Sequence, residues 1–386
     1  MWPPCLFALI WAIEMLIIPV SGYFHVSLEC QFFYLLGVLA FSAGGYAAMW
    51  LPAPSSSQRL KESPTILKLF VIADVILAFL FAREVVQLVK TVADSNFFFA
   101  ARVAFLDQPD TTFVDNAVPF AMILATIFVL RDDGSRRAKF ATFSTAGLAF
   151  ILNLLTGGRA GAVELALMLL AIAWFKKRLT WKYLSIVGLI SATLFFFIAL
   201  TVGKGLNRNG SFSDNGPLLL DSVLTYAITG PITFDQVYHS PTVVPAVWHP
   251  DRVFVQVANK LGARLEQPEL HAEYSNFAPT KITNIYTMYF AYYPHYGYFL
   301  TLVVTAFLGF ICVLIYRKAR TGAPWAILVS ATLFSGVILS PYNEGFFMDL
   351  NYIAKVMLLC WVVYRNESSR PLLSRWTWRK PEFNKA

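Results

Sequence analysis

Charge is what this sequence has least of. Of its 386 residues only 14% are Asp, Glu, Lys or Arg, whereas 57% are hydrophobic. A soluble domain carries about 25% charged and about 45–50% apolar residues, so neither an ordinary soluble enzyme nor a disordered chain fits. Glycine patterns of the Rossmann and P-loop kind are missing, as is HExxH. There are four cysteines, Cys5, Cys30, Cys312 and Cys360, none in a CxxC pair and all in or beside apolar runs. They read as small core hydrophobes and not as redox or metal groups. The first 20 residues hold no Lys or Arg, which makes a poor signal peptide; they read as an uncleaved first span. No internal repeat is visible, and an inverted-repeat transporter would show one. The net charge is +8, but the basic residues only punctuate apolar runs, so no nucleic-acid partner is expected.

What is present is a series of apolar stretches. Ten of them qualify as helices: about 3–20, 30–51, 65–82, 113–130, 140–156, 160–175, 183–203, 297–316, 323–340 and 350–364. The expected fold is therefore an all-α polytopic membrane protein with about 10 transmembrane helices and one large periplasmic loop. Residues 1–203 hold helices 1–7 with a smaller outer loop at 83–112. Residues 204–296 form the large outer insert, and 297–386 hold helices 8–10 and a basic tail. With both termini in the cytoplasm, 20 Lys and Arg fall inside and 10 outside, six of the latter in the long insert where the rule has little force. Parity makes 282–296 an incomplete crossing that lies at the outer interface or re-enters partway.

Several groups could carry chemistry. Asp235 and His239 are four apart in PITFDQVYHS, so a helix after Pro231 would place both on one face. They form either an acid/base pair or a solvated face. In TGGRAGAVELALMLL, Gly157, Gly158 and Gly161 surround Arg159. That pattern suits a diphosphate site, or a tight helix–helix turn. Glu164 follows a turn deeper, and Lys355 could pair with it. Residues 281–299 are dense in rings, among them Tyr286, Tyr289, Tyr292 and Tyr293, with Asn284 and His295 beside them. An interfacial belt and a sugar-stacking surface both fit. The loop SPYNEGFFMD offers Glu344 as a base or an ordinary loop acid, and Glu14 and Asp74 lie within spans. The histidine spacings match no metal motif, so neither metal nor cofactor is expected.

The GGRAG turn, YAITGPITFDQ, and TNIYTMYFAYYPHYGYF running into LTLVVTAFLGF occur in one order. In this the chain resembles the O-antigen (oligosaccharide repeat-unit) polymerases of Gram-negative inner membranes over most of 140–350. The resemblance implies metal-independent glycosyl transfer at the periplasmic face, from undecaprenyl-diphosphate-linked oligosaccharide, with membrane lipids and a chain-length regulator protein as partners. It implies Arg159, Arg252 and Arg264 as diphosphate-binding residues. It implies Tyr286, Tyr289, Tyr292, Tyr293 and Asn284 as sugar-binding, and His239, Asp235, His295 and Glu344 as competing bases. Where members carry Asp-Phe-Gly, this chain has Pro294-His295-Tyr296-Gly297. Two alternatives remain: an O-antigen ligase, and a polysaccharide or lipid transporter (flippase).

Overall fold

The computed structural model describes residues 2–20, 25–52, 60–92, 116–156, 160–182, 228–239, 252–266, 275–278, 281–283 and 285–366, with isolated positions between 54 and 193. These residues are overwhelmingly helical. In chain order the helices are α1 (Pro3–Val20), α2 (Leu28–Met49), α3 (Pro64–Val89), α4 (Ala117–Arg131), α5 (Arg136–Leu155) and α6 (Ala160–Phe175). Then come α7 (the helical residues 228–239) and α8 (Arg252–Lys260), followed by α9 (Tyr293–Ala319), α10 (Pro324–Leu339) and α11 (Leu350–Val363). Two small antiparallel pairings complete the set: Leu60–Glu62 with Tyr364–Asn366, and Ser275–Ala278 with Lys281–Thr283.

Among the described residues four helices, α2, α3, α5 and α9, are long and apolar enough to cross a bilayer; α1, α4, α6, α10 and α11 are apolar but shorter. Nine of the ten expected stretches coincide with helices. The tenth, 183–203, lies almost wholly outside the described residues. Large apolar side chains point outward, as a lipid-facing surface requires: Phe79 on α3 is 71% exposed, Phe140 on α5 74% and Phe299 on α9 77%. Several boundaries differ from expectation by four residues or more, among them the start of α5 at Arg136. Helix α3 runs to Val89 and takes the first seven residues of the expected outer loop at 83–112. Its last turns alternate buried Val85 with polar Arg83, Glu84 and Gln87, so the helix continues as an amphipathic one past its apolar run. Helix α9 begins at Tyr293, and Gly297 breaks it with φ 69 and ψ −175, a conformation that a side chain would oppose.

The centre is the pair α2 and α9. A Cβ on Gly44 would collide with the Ala306 carbonyl, and one on Gly309 with the Phe41 carbonyl. Lipid tails are as apolar as these helices, so close van der Waals contact between small residues holds the pair. The two helices run parallel. Phe33 meets Tyr298 at 5.1 Å near their starts. At their ends Arg317 donates to the carbonyls of Ala48, Leu51 and Pro52.

The same end gathers much of the basic charge. Lys176 of α6 donates to the last carbonyls of α4, Val129 and Leu130, at 3.1 and 2.7 Å. Arg178 binds the Asp132 carbonyl at 2.7 Å. Trp174 stacks on Tyr316 at 5.8 Å, and Lys61 pairs in register with Arg365. These contacts bring the C-terminal ends of α2, α4, α6, α9 and α11 together with the start of α3. The opposite end carries the starts of α2 and α9, helix α7, and the loop from Ser340 to Asp349.

Candidate active site at the aromatic end of the bundle

Ser27 ends an extended stretch and caps α2, its hydroxyl accepting from the Cys30 amide at 3.2 Å. Helix α7 lies against this cap. Ser27 N donates to Asp235 Oδ2 at 3.2 Å, and Ser27 Oγ donates to Asp235 Oδ1 at 2.5 Å. His239, one turn on, places Nε2 2.9 Å from Ser27 Oγ and 3.5 Å from Asp235 Oδ1. A helix is present, but it already includes residues 228–230 and so does not start at Pro231 as expected; Asp235 and His239 share its face. Ser27, a third member from the far end of the chain, was not expected.

Proton accounting assigns the tautomer. A serine hydroxyl has one hydrogen, and the carboxylate takes it. In the neutral imidazole the hydroxyl oxygen then accepts from His239 Nε2–H, and Nδ1 carries the lone pair. His239 is 45% exposed and Asp235 only 14%, so the imidazole is reachable and the carboxylate behind it is largely covered. An imidazole oriented through a hydroxyl by a covered carboxylate is suited to accept a proton.

Aromatic rings surround the group. Tyr238 meets the His239 ring edge-on at 5.3 Å and stacks on Tyr293 at 5.2 Å. Burial, with the neighbouring tyrosines adding to it, pushes the Tyr238 phenol up to about 12, so it stays neutral and keeps its proton to donate. Tyr238 and Tyr293 are both partly exposed and form a platform next to His239. Tyr238 was missed in the sequence because it adjoins a histidine outside the ring-dense stretch.

Half of the rings in the ring-dense stretch, Tyr286, Tyr289, Phe290 and Tyr292, are core. Residues 288–291 form one 3-10 turn that enters the bundle. Tyr289 packs against Trp11, Phe33 and Tyr34 at 5.2–5.8 Å. Its hydroxyl occupies the space a Cβ on Gly37 would take, nine residues or about 13 Å along α2. The stretch therefore enters the bundle and does not lie along its surface. Tyr289 and Tyr292 are fully buried and Tyr286 is 9% exposed, stacked at 3.9 Å on Phe290. These three tyrosines do not present a face to a sugar, which corrects their expected role. Each aromatic contact contributes about 0.5–1.5 kcal/mol to packing instead.

Glu344 is also corrected. It is fully buried. Its Oε1 accepts from Tyr292 at 2.5 Å and from the Phe346 and Phe347 amides at 2.9 Å, while Oε2 accepts from the Met348 amide at 2.9 Å. Burial pushes its carboxyl up and these hydrogen bonds oppose the shift. Such a group clasps the 340–349 loop to the re-entrant turn and is not placed to meet a substrate. Lys355, which could have paired with Glu164, donates instead to Asn116 at 2.7 Å.

His295 is half-buried in the first turn of α9, its ring 6.5 Å from that of Tyr296. Arg264 is exposed just past α8. Arg159, Asn284 and the side chain of Arg252 lie outside the described residues, and with them most of the expected diphosphate and sugar sets. Glu14 and Asp74 are buried, and one oxygen of each has no hydrogen-bond partner among the described residues. Searches of family models, of curated proteins and of solved structures find no match to this chain.

Proposed function

We propose that this chain polymerises undecaprenyl-diphosphate-linked oligosaccharide repeat units at the periplasmic face of the bacterial inner membrane. In this reading about ten helices span the bilayer. The basic end faces the cytoplasm with both termini, and the 204–296 insert is periplasmic. The observation that carries the reading is the His239–Ser27–Asp235 relay beside the Tyr238–Tyr293 platform, at the end opposite the basic one.

The chemistry follows from that arrangement. The acceptor sugar hydroxyl gives its proton to His239 Nδ1 as its oxygen bonds to the anomeric carbon of the growing glycan. The bond from that carbon to the diphosphate breaks, and undecaprenyl diphosphate leaves. Asp235 stabilises the imidazolium through Ser27. Arg159, Arg252 and Arg264 meet the negative charge that develops on the leaving group. Tyr238 and Tyr293 hold a sugar face. No cofactor enters; a chain-length regulator is the expected protein partner.

A second reading, a transporter, draws on the buried oxygens of Glu14 and Asp74 that have no partner among the described residues, since acids inside membranes mark ion or proton paths. Purified protein supplied with lipid-linked repeats in excess EDTA separates the two. Polymer forms if guanidinium groups stabilise the diphosphate. Activity that vanishes in EDTA and returns with Mg²⁺ contradicts the metal-independent mechanism, and no polymer under either condition favours transport.

A further inference from the structure

At the basic end a groove of about 410 Å³ separates the first turns of α3 from the last turn of α4. Its size lies within the roughly 300–1,000 Å³ of small-molecule sites. Leu67, Val71 and Ile72 of α3 and Phe128 of α4 form its walls, all apolar. Ile72 is 57% exposed, and α3 is long and apolar enough to cross a bilayer. The groove therefore opens on a lipid-facing side, where acyl chains are at hand and water is scarce.

Two cations stand at its rim. Lys68 and Arg131 both line the groove, and both are exposed. The Arg131 guanidinium carbon lies 5.9 Å from the centre of the Phe128 ring, so its charge is held over the apolar wall. The carboxylates that follow Arg131 in the chain are engaged elsewhere. Asp132 accepts from the Gly134 amide at 2.7 Å and pairs with Arg178 at 3.5 Å, while Asp133 accepts from the Ser135 amide at 2.8 Å. Arg136, Arg137 and Lys139 then open α5, at a helix start whose dipole opposes cations. An anionic headgroup layer offsets that cost.

We propose that this groove binds one anionic phospholipid, with an acyl chain along Leu67, Val71, Ile72 and Phe128 and the phosphate between Lys68 and Arg131. Free phosphate would use the cations and leave the apolar slot empty, and a neutral lipid would fill the slot and leave the cations unmatched. Basic pockets between spanning helices take lipid headgroups in this way. The site lies at the end opposite His239 and does not depend on glycosyl transfer.

Native mass spectrometry of the full chain, released from nanodiscs of phosphatidylcholine and phosphatidylglycerol, tests this. One phosphatidylglycerol should stay bound in preference to phosphatidylcholine. Lys68→Gln and Arg131→Gln should each reduce that preference about fivefold. Val71→Trp fills the slot and should release the same lipid, and excess inorganic phosphate should leave it in place. No retained lipid, equal retention of the two lipids, an unchanged preference in both glutamine variants, full retention in Val71→Trp, or displacement by inorganic phosphate would each overturn the proposal. Unaltered elution and thermal stability show that each variant is folded. If Val71→Trp does not fold, Ile72→Trp, on the exposed side of the slot, takes its place.

Discussion

His239→Ala is expected to lower polymerisation about 10²–10⁴-fold, the usual contribution of a positioned general base. The protein should remain inserted and abundant, because His239 is 45% exposed and supports little packing. Asp235→Asn should copy much of the defect. It replaces the acceptor that takes the Ser27 hydrogen, and the serine hydroxyl no longer has a carboxylate to direct it. Ser27→Ala should be milder, since Asp235 still lies 3.5 Å from the imidazole; it also loses a helix cap, worth about 1 kcal/mol. Groups that act as a unit give non-additive losses. The Asp235/His239 double variant should therefore be little worse than His239→Ala alone. Turnover per molecule and polymer length, measured across the set, check this. Multiplicative losses would rule out the relay, and a large loss in His295→Ala with normal His239→Ala would move the base to α9.

Glu344→Ala should fail for a different reason. It strips the acceptor from the Tyr292 hydroxyl and from three backbone amides, all in the interior. Each buried donor left without an acceptor costs about 1–3 kcal/mol, together enough to deplete the protein from the membrane. Glu344→Gln should do far better. Its carbonyl oxygen keeps Tyr292, Phe346 and Phe347, and only the Met348 amide meets a donor in place of an acceptor. Membrane abundance and thermal denaturation in detergent separate the two variants. If Glu344 were the base, the glutamine variant would be fully abundant and about 10²-fold or more less active per molecule.

The helices were legible because long apolar runs announce themselves; α2 and α9 are each more than 20 residues. The Asp235–His239 face was legible because i,i+4 spacing is a local signal. Ser27 was not, since its partner lies 208 residues away and its only local mark is a serine before an apolar run. Ring density misled at Tyr286, Tyr289 and Tyr292. An interfacial belt, a sugar platform and a packed core use the same residues, and burial distinguishes them. Tyr289 sits deep because Gly37, on another helix, leaves room for its hydroxyl. Glu344 resembled an ordinary loop acid for the same reason: three of its four donors are backbone amides, which sequence does not display.

The role in glycan assembly proposed for this chain is tested most directly in the cell that carries its gene. Deleting the gene and resolving surface lipopolysaccharide on a gel distinguishes every reading considered. Loss of a polymerase leaves lipid A core bearing a single repeat unit, and the wild-type gene should restore the long ladder while His239→Ala should not. Bare core alone would contradict polymerisation and point to a ligase or a flippase, and an unchanged ladder would remove this chain from O-antigen assembly.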